Sequence, residues 1–460
     1  MELQQKEVGL QQKETVNIIS LGCPKNLVDS EIMAGSLIKE GYQWQDDPEK
    51  AQTVIINTCG FIEDSKRESI QKILEIARLK EEGKVRRIVV AGCLAQRYKN
   101  ELVESLPEAD LFIGSGDFPK IVEILRQHDR GVNQKTYFSL PTYLQQDGAP
   151  RVNSQPRHRA YLKISEGCLK RCAFCAIPLI RGNLQSRTIQ SIVSEARLLV
   201  AGGVKELIIV SHDFTDYGWD LRRKNGNDDV TPERLLEELA QIEGLWWIRL
   251  MYLYPDGITP KMLEVIKRYP KICRYFDMPL QHVNDEMLKR MNRKMTKSQI
   301  AEVICGIRRE LPDATIRTQF IVGYPGETEA QFHEILDFLQ QYRFDRVGCF
   351  KYSAEENTPA GKMKDQIDED TKERRYRSLM KLQQKMSKLQ NQKLIGKKLP
   401  VLVEGYSEET ELLLQGRYEG QAPDIDGVVL INEGTAQVGE FVTVEVTKAF
   451  EYDLMGRIVQ

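Results

Sequence analysis

The sequence predicts an α/β protein in three parts: an open parallel α/β domain at the N-terminus, a βα barrel of partial TIM-like form, and a small antiparallel β-barrel at the C-terminus. Three observations lead there. Apolar, β-rich runs alternate with helical patterns in two successive series. Between the series, from about Thr136 to Arg159, the chain is rich in Pro, Gln and Asn and lacks periodicity, as a linker does. Beyond Leu399 it turns to short alternating runs separated by glycine-marked turns. The parts are expected over residues 14–131, 154–384 and 387–460.

In the first series, TVNIISLGC, TVIINTCG and RRIVVAGC share one grammar, a strand that ends in glycine or threonine beside a cysteine. Helical patterns such as SEIMAGSLIKEGY lie between them, so the strands should run parallel, with any ligand outside their carboxyl ends. Cys23, Cys59 and Cys93 are then placed to converge on one sheet edge. A single free cysteine there often finishes a buried strand as a small apolar residue. Three in the same position point instead to a metal cluster.

The second series opens with AYLKISEGC, a strand that feeds the loop C-L-K-R-C-A-F-C and so brings Cys168, Cys172 and Cys175 together. Three thiolates are one ligand short of a closed zinc site, which takes four. A cubane iron–sulfur cluster tolerates the deficit, because three cysteines hold three irons and the fourth stays open to a small molecule. A zinc knuckle completed by a distant ligand such as His158 is the alternative. SIVSEARLLVAGGVKELIIVSHD reads as a helix, a glycine turn and a strand, and later strands are read in LWWIRLMYLYP, YFDMPLQH, TIRTQFIVGYPGET and RVGCFKYS, with the chemistry expected in the loops after them. Cys273, Cys305 and Cys349 share no spacing and are expected to be packing residues, as is the Trp246–Trp247 pair. Histidine is scarce, and the cysteines read better as ligands than as nucleophiles, so hydrolytic catalysis finds no support.

The net charge of −2 is a sum of opposites. Residues 371–398 carry a local balance of +9 in a helical pattern with Leu379, Leu382, Met386 and Leu389 at helix-like spacing. This stretch reads as a solvated connecting helix or as a phosphate-contacting face that would make nucleic acid a possible partner. Residues 399–460 carry −9, which repels phosphate and matches a basic protein surface. No N-terminal signal pattern and no membrane-length apolar run is present, so no membrane partner is expected. Nine cysteines, an odd number spread through a long chain, argue against a disulfide framework and for a reducing cytoplasm.

The C-x3-C-x2-C loop, with Phe174 before its last cysteine, resembles the radical S-adenosylmethionine superfamily, in which the open iron chelates the amino and carboxylate groups of S-adenosylmethionine. The two triads, the βα barrel and a terminal barrel similar to a TRAM domain together resemble the methylthiotransferase family along nearly the whole chain. SLGCPKNLVDSE, SEGCLKRCAFCAIPLIRG, MYLYP, PLQHVNDEMLKRMNR and GRYEGQAPDIDG look like its RimO branch. The transfer-RNA-modifying branch, which methylthiolates an adenosine and stands as the alternative activity, usually shows GCQMN where this chain has Gly22-Cys23-Pro24-Lys25-Asn26, and HP where it has Tyr254-Pro255.

The resemblance implies a transferase with two 4Fe-4S clusters. Cys168, Cys172 and Cys175 would hold the one that cleaves S-adenosylmethionine to a 5′-deoxyadenosyl radical. That radical would remove hydrogen from the β-carbon of an aspartate in small-subunit ribosomal protein twelve, a step no side-chain base could perform. Cys23, Cys59 and Cys93 would hold the auxiliary cluster that supplies the methylthio group, with sulfur source and electron donor unidentified. It further implies that Gly202 and Gly203 let the backbone approach the methionine carboxylate, and that Gly323 and Gly326, in Gly323-Tyr324-Pro325-Gly326-Glu327, line the adenine and ribose. Arg181 and Arg187 are placed to neutralise a carboxylate, and His212-Asp213 to touch the cofactor.

Overall fold

The computed structural model describes residues 14–141, 148–226, 228–407 and 410–459. Two compact units emerge. The first holds the described residues up to 141 together with 149–152 and 179–181; the second holds residue 148, 153–178 and the described residues from 182 onward.

The first unit is built on six strands: β1 (Thr15–Ser20), β2 (Gln43–Trp44), β3 (Thr53–Thr58), β4 (Arg87–Gly92), β5 (Leu111–Gly114) and β6 (Thr136–Tyr137). They pair in the order β2-β1-β3-β4-β5-β6, and every pairing is parallel. All six residues of β3 and of β4 are buried, as expected of central parallel strands covered by helices on both faces. Because β1, β3 and β4 are neighbours, the loops after them leave the same edge side by side. Two features lie outside the expected boundaries. β6 falls within the stretch read as linker, and residues 150–151 pack so closely on the helix Pro24–Lys39 that a Cβ at Gly35 would stand 2.6 Å from the Arg151 amide nitrogen. The linker's polar composition concealed backbone that is tied down by pairing and close packing.

In the second unit β7 (Arg159–Lys163) leads into a short hairpin, β8 (Ser165–Glu166) with β9 (Gln185–Ser186), which frames residues 167–184. Five more strands follow: β10 (Glu206–Val210), β11 (Trp247–Leu250), β12 (Tyr275–Gln281), β13 (Thr315–Val322) and β14 (Arg346–Lys351). They form two parallel ladders, β7-β10-β11 and β12-β13-β14, joined by the parallel bridge Ile248–Ile272 and by Leu253 N–H donating to the Asp277 carbonyl at 2.8 Å. The result is an arc of six parallel strands around one apolar core, the partial barrel expected. Threonine starts the helices repeatedly. Thr188, Thr231, Thr259, Thr296 and Thr328 each accept from the backbone N–H three residues on, and Thr296–Gln299 and Thr328–Gln331 complete capping boxes.

A helix, Glu369–Gln392, then leads to β15 (Lys398–Ser407), β16 (Thr410–Tyr418), β17 (Val429–Glu433), β18 (Phe441–Ala449) and β19 (Leu454–Ile458), which close into a barrel. The pairing is antiparallel except between β17 and β19, which run parallel, and the last apolar run of the sequence divides into the β18–β19 hairpin. The helix runs through the boundary expected at 384–387. Its buried face runs through Lys372, Arg375, Leu379, Gln383, Ser387 and Asn391, so of the four apolar residues at helix-like spacing only Leu379 is fully buried. Leu382 and Met386 are half-buried and Leu389 is exposed. Among the described residues no helix is long and apolar enough to cross a membrane.

Trp246 and Trp247 do not serve the barrel core alone. Trp246 stacks on Phe441 of the C-terminal barrel with ring centroids 4.6 Å apart, and Trp247 meets the same ring edge-on at 4.8 Å. Cys273 and Cys349 are buried as expected, whereas Cys305 is exposed on the helix Lys297–Glu310.

Candidate metal centres and cofactor site

The first triad lies along the carboxyl edge of the N-terminal sheet. Cys23 precedes the first turn of the helix Pro24–Lys39, Cys59 follows β3 directly, and Cys93 opens the helix Cys93–Tyr98 directly after β4. Glycine makes the approach possible. At Gly22 φ is +90°, and an added Cβ would stand 2.9 Å from the Cys59 sulfur; at Gly92 φ is +94°, and a Cβ would stand 2.2 Å from Asn57 Oδ1. Asn26 braces the three loops together. Its amide donates at 3.0 Å to the Leu21 carbonyl before Cys23 and at 3.0 Å to the Thr58 carbonyl before Cys59, and its Oδ1 stands 3.4 Å from the Cys93 sulfur. Burial pushes the Cys93 thiol up to about 12, against the pull of Arg181, and it also raises Cys59. In both cases the neighbouring thiols add to the rise, as groups facing one site must.

The second triad occupies the loop after β7. Gly167, at φ +65°, lets the chain pass so close to residues 182–183 that a Cβ would stand 2.0 Å from the Asn183 carbonyl oxygen. Cys168 N–H donates to the Gly182 carbonyl at 3.2 Å, and Cys175 N–H to the Cys172 carbonyl at 3.0 Å. An apolar floor of Ala173, Met287, Met291, Tyr324, Tyr352 and Ala360, with Phe174 packed against it, backs the loop, whose three cysteines stay partly exposed. Burial pushes Cys168 up to about 11 and Cys175 up to about 12, with Cys172 adding to both. Soft thiolates converging three at a time suit iron–sulfur chemistry at both places. Among the described residues no three His, Cys, Asp or Glu side chains close on a single metal ion.

Around this loop stands a charged shell in which Asp213 alone is expected from the sequence. Lys170 Nζ lies 3.5 Å from Asp213, 3.4 Å from Asp216 and 3.3 Å from Asp256. Burial works against its charge, but the three carboxylates outweigh burial and hold the ammonium above its usual range. Asp213 is pushed up to about 6, first by burial and then by Asp216. Tyr254 is nearly buried, with Lys170 4.2 Å and Arg293 4.1 Å from its ring centre, and Arg293 reaches the Cys172 sulfur at 3.8 Å. Lys170 sits inside the cysteine motif, and Tyr254 and Arg293 inside MYLYP and PLQHVNDEMLKRMNR. Their composition carried the signal; only the folded chain shows the shared centre.

Several expected contacts move. Gly202 and Gly203 turn the helix Ile189–Ala201 into the amino end of β10, whereas the cysteine loop leaves the carboxyl end of the parallel neighbour β7. The Gly202 carbonyl accepts from Arg157 there, so the pair is corrected from a cofactor contact to a strand–helix turn. His158 likewise precedes β7, 3.5 Å from Glu404, at the end of the strand away from the cysteines, and is not their fourth ligand. Gly323 and Gly326 do follow β13 at its carboxyl end, but a Cβ at Gly323 would meet Lys372 at 2.3 Å, and one at Gly326 would meet Asp365 at 2.4 Å. They make room for protein side chains. Arg187 is held by Glu195 at 2.5 Å and by backbone carbonyls. Arg181 is held by Asp29 at 2.8 Å, and neither arginine offers an open fork to a carboxylate.

Comparison with known proteins accounts for the three parts. Residues 15–114 match the family described as uncharacterised protein family UPF0004, residues 162–339 the radical SAM superfamily, and residues 395–459 the TRAM domain. The radical S-adenosylmethionine methyltransferase TsrM of Kitasatospora setae shares the fold at TM-score 0.53 and 16% identity, covering 76% of this chain and 77% of that one. A ribosomal protein uS12 methylthiotransferase RimO of Bdellovibrio bacteriovorus is 66% identical over 97% of this chain and 98% of its own length. Another, of Geobacter sulfurreducens, is 48% identical over 97% and 99%. With both cysteine triads at the carboxyl ends of parallel strands and identity of this order along the whole length, the chain belongs to the RimO family of radical SAM methylthiotransferases.

Proposed function

We propose that this protein replaces a hydrogen on the β-carbon of an aspartate in ribosomal protein uS12 with a methylthio group, using S-adenosylmethionine and two 4Fe-4S clusters in a reducing cytoplasm. The observation that carries the reading is the pair of three-cysteine sets, each following parallel strands; three thiolates would leave one iron of a cubane open at each. Cys168, Cys172 and Cys175 hold one cluster and Cys23, Cys59 and Cys93 the other, within functional parts spanning 14–131, 154–384 and 387–460. When bound and given an electron by an external reductant, the clusters and S-adenosylmethionine would supply the hydrogen-abstracting radical and the methylthio group.

The chain's own residues bind and arrange. Lys170, clamped by Asp213, Asp216 and Asp256, pins the cysteine loop to the ends of β10 and β11. The apolar floor packs against Phe174 and so backs the cysteine loop from within the barrel. Gly323 and Gly326 shape the turn after β13 without presenting bare backbone.

The transfer-RNA reading drew on the basic stretch, and much of that charge is matched internally. Arg374 grips Glu329 with both nitrogens at 2.8 and 2.9 Å, Arg375 pairs with Glu327, Arg377 with Glu373 and Lys388 with Glu451. The decisive experiment is mass spectrometry of uS12 and of transfer RNA after anaerobic turnover, with a Cys168→Ala control. One methylthio group on uS12 is expected; modification of transfer RNA alone refutes the assignment.

A further inference from the structure

Arg181 lies six residues past Cys175 in sequence, and its segment packs within the first unit, where it is 1% exposed. Its guanidinium reaches Asp29, Asn26 and Cys93 at the auxiliary site. NH1 donates to Asp29 Oδ2 at 2.8 Å; NH2 donates to Asn26 Oδ1 at 2.5 Å and approaches the Cys93 sulfur at 3.4 Å. The segment is itself anchored, since Ser115 donates to the Ile180 carbonyl at 3.2 Å. A buried cation costs free energy unless something compensates it. Asp29 compensates it through NH1, while NH2 of the same guanidinium is turned to a cysteine sulfur.

We propose that Arg181 is the electrostatic tuning residue of the auxiliary cluster, donating an N–H to the Cys93 sulfur and holding that cluster's reduction potential up, with Asp29 setting how much of the positive charge the cluster feels. The proposal rests on the assignment of Cys23, Cys59 and Cys93 as ligands. Reduction adds negative charge to a cluster that already carries three thiolates, and hydrogen bonds and positive charge at the sulfurs favour the reduced state. Arginine suits the task because it stays charged when buried and its planar fork serves sulfur, amide and carboxylate together. Asn26, already the brace of the cysteine loops, fixes the same NH2 group and so fixes its distance from the sulfur. Arg181 is thus a positioning residue: it acts through Cys93 and need touch neither substrate nor S-adenosylmethionine.

The test uses the full-length chain carrying Cys168→Ala, Cys172→Ala and Cys175→Ala, so that only the auxiliary cluster assembles. After anaerobic reconstitution this parent should hold about four irons. Its midpoint potential is read by redox titration followed by electron paramagnetic resonance. Adding Arg181→Gln should move the midpoint to more negative values and change the resonance line shape. Adding Arg181→Lys should leave it between parent and Arg181→Gln. Adding Asp29→Asn should move it the opposite way, to more positive values. An Arg181→Gln midpoint equal to the parent's overturns the proposal, as do Arg181→Gln and Asp29→Asn shifts of the same sign. Where Arg181→Gln retains no iron, Asp29→Asn decides, and a midpoint unchanged or more negative is the refuting result. A parent that binds no iron refutes the ligand assignment instead, and the proposal falls with it.

Discussion

Glu206→Gln should destabilise the seat of the TRAM barrel on the radical SAM core more than any surface change. Glu206 is fully buried at the amino end of β10, with Arg249 Nε 2.7 Å from one oxygen and Arg417 NH2 2.5 Å from the other. Arg249 is also fully buried and Arg417 is 1% exposed, and Glu404, at the partly exposed rim of the network, takes Arg417 at 2.8 Å and Arg159 at 3.4 Å. Burial alone would raise the Glu206 pKa, and it is the largest single influence, but Arg417 and Arg249 together hold the carboxyl below its usual range. The amide keeps the shape and removes one charge, so the buried Arg249 loses the carboxylate it pairs with and Arg417 keeps Glu404. Breaking a buried pair in this way costs about 3–5 kcal/mol, roughly two to four powers of ten in the folding equilibrium. Trp246 and Trp247, packed on Phe441, report the seat directly, so urea unfolding followed by tryptophan fluorescence measures the loss. Glu264→Gln, which breaks the exposed Arg268–Glu264 pair, should change nothing measurable. A Glu206→Gln cost below about 1 kcal/mol would mean that the network is hydrated like a surface pair, and the reasoning would be refuted.

Acid should act on the same seat: Glu206 and Glu404 both lie below the ordinary glutamate range, so the folded chain binds their protons less tightly than the unfolded chain does. Their stabilisation is complete above about pH 4.5 and drains as pH falls, and a urea series between pH 6 and 3 should show a shallower loss in Glu206→Gln than in the parent. Gly92→Ala forces a side chain into φ +94° and a Cβ to within 2.2 Å of Asn57 Oδ1, so it should cost about 1–3 kcal/mol of backbone strain; iron analysis should show the auxiliary cluster lost while 5′-deoxyadenosine is still produced. Gly202 has ordinary helical backbone and stands at the amino end of β10, so Gly202→Ala should leave the KM for S-adenosylmethionine unchanged; a rise of tenfold or more would restore it as a cofactor contact. Cys168→Ala should remove about four of about eight irons and abolish 5′-deoxyadenosine formation, measured by iron analysis and chromatography.

The cysteines were legible before the fold was known because ligands must occur in fixed types at fixed places. C-x3-C-x2-C is a local spacing, and the three strand-ending cysteines follow from the rule that parallel strands present their carboxyl ends together. The six strands of the arc were legible for a similar reason, since each is an apolar run bounded by its own turn. Glycine was less legible. Gly202-Gly203 and Gly323-Tyr324-Pro325-Gly326 look alike as turn formers, yet one pair opens a strand and the other follows one, and only the parallel register separates them. Charge was least legible. The +9 of residues 371–398 counts residues without their partners, and Arg374 and Arg375 find theirs in Glu329 and Glu327, some 45 positions earlier in the chain.

By itself, then, the sequence determined the chemistry: two sets of three thiolates, the parallel strands that carry them, and the order of the three parts. Those depend on residue type, short spacing and periodicity, which are local. Tertiary structure alone decided which residues serve the two sites. It put Arg181 and Asn26 on the Cys93 sulfur, gathered Lys170, Tyr254 and Arg293 around the second triad, and sealed Glu206, Arg249 and Arg417 beneath the TRAM barrel. Those are long-range pairings of charged and polar groups. They draw their strength from burial, and burial belongs to the folded chain.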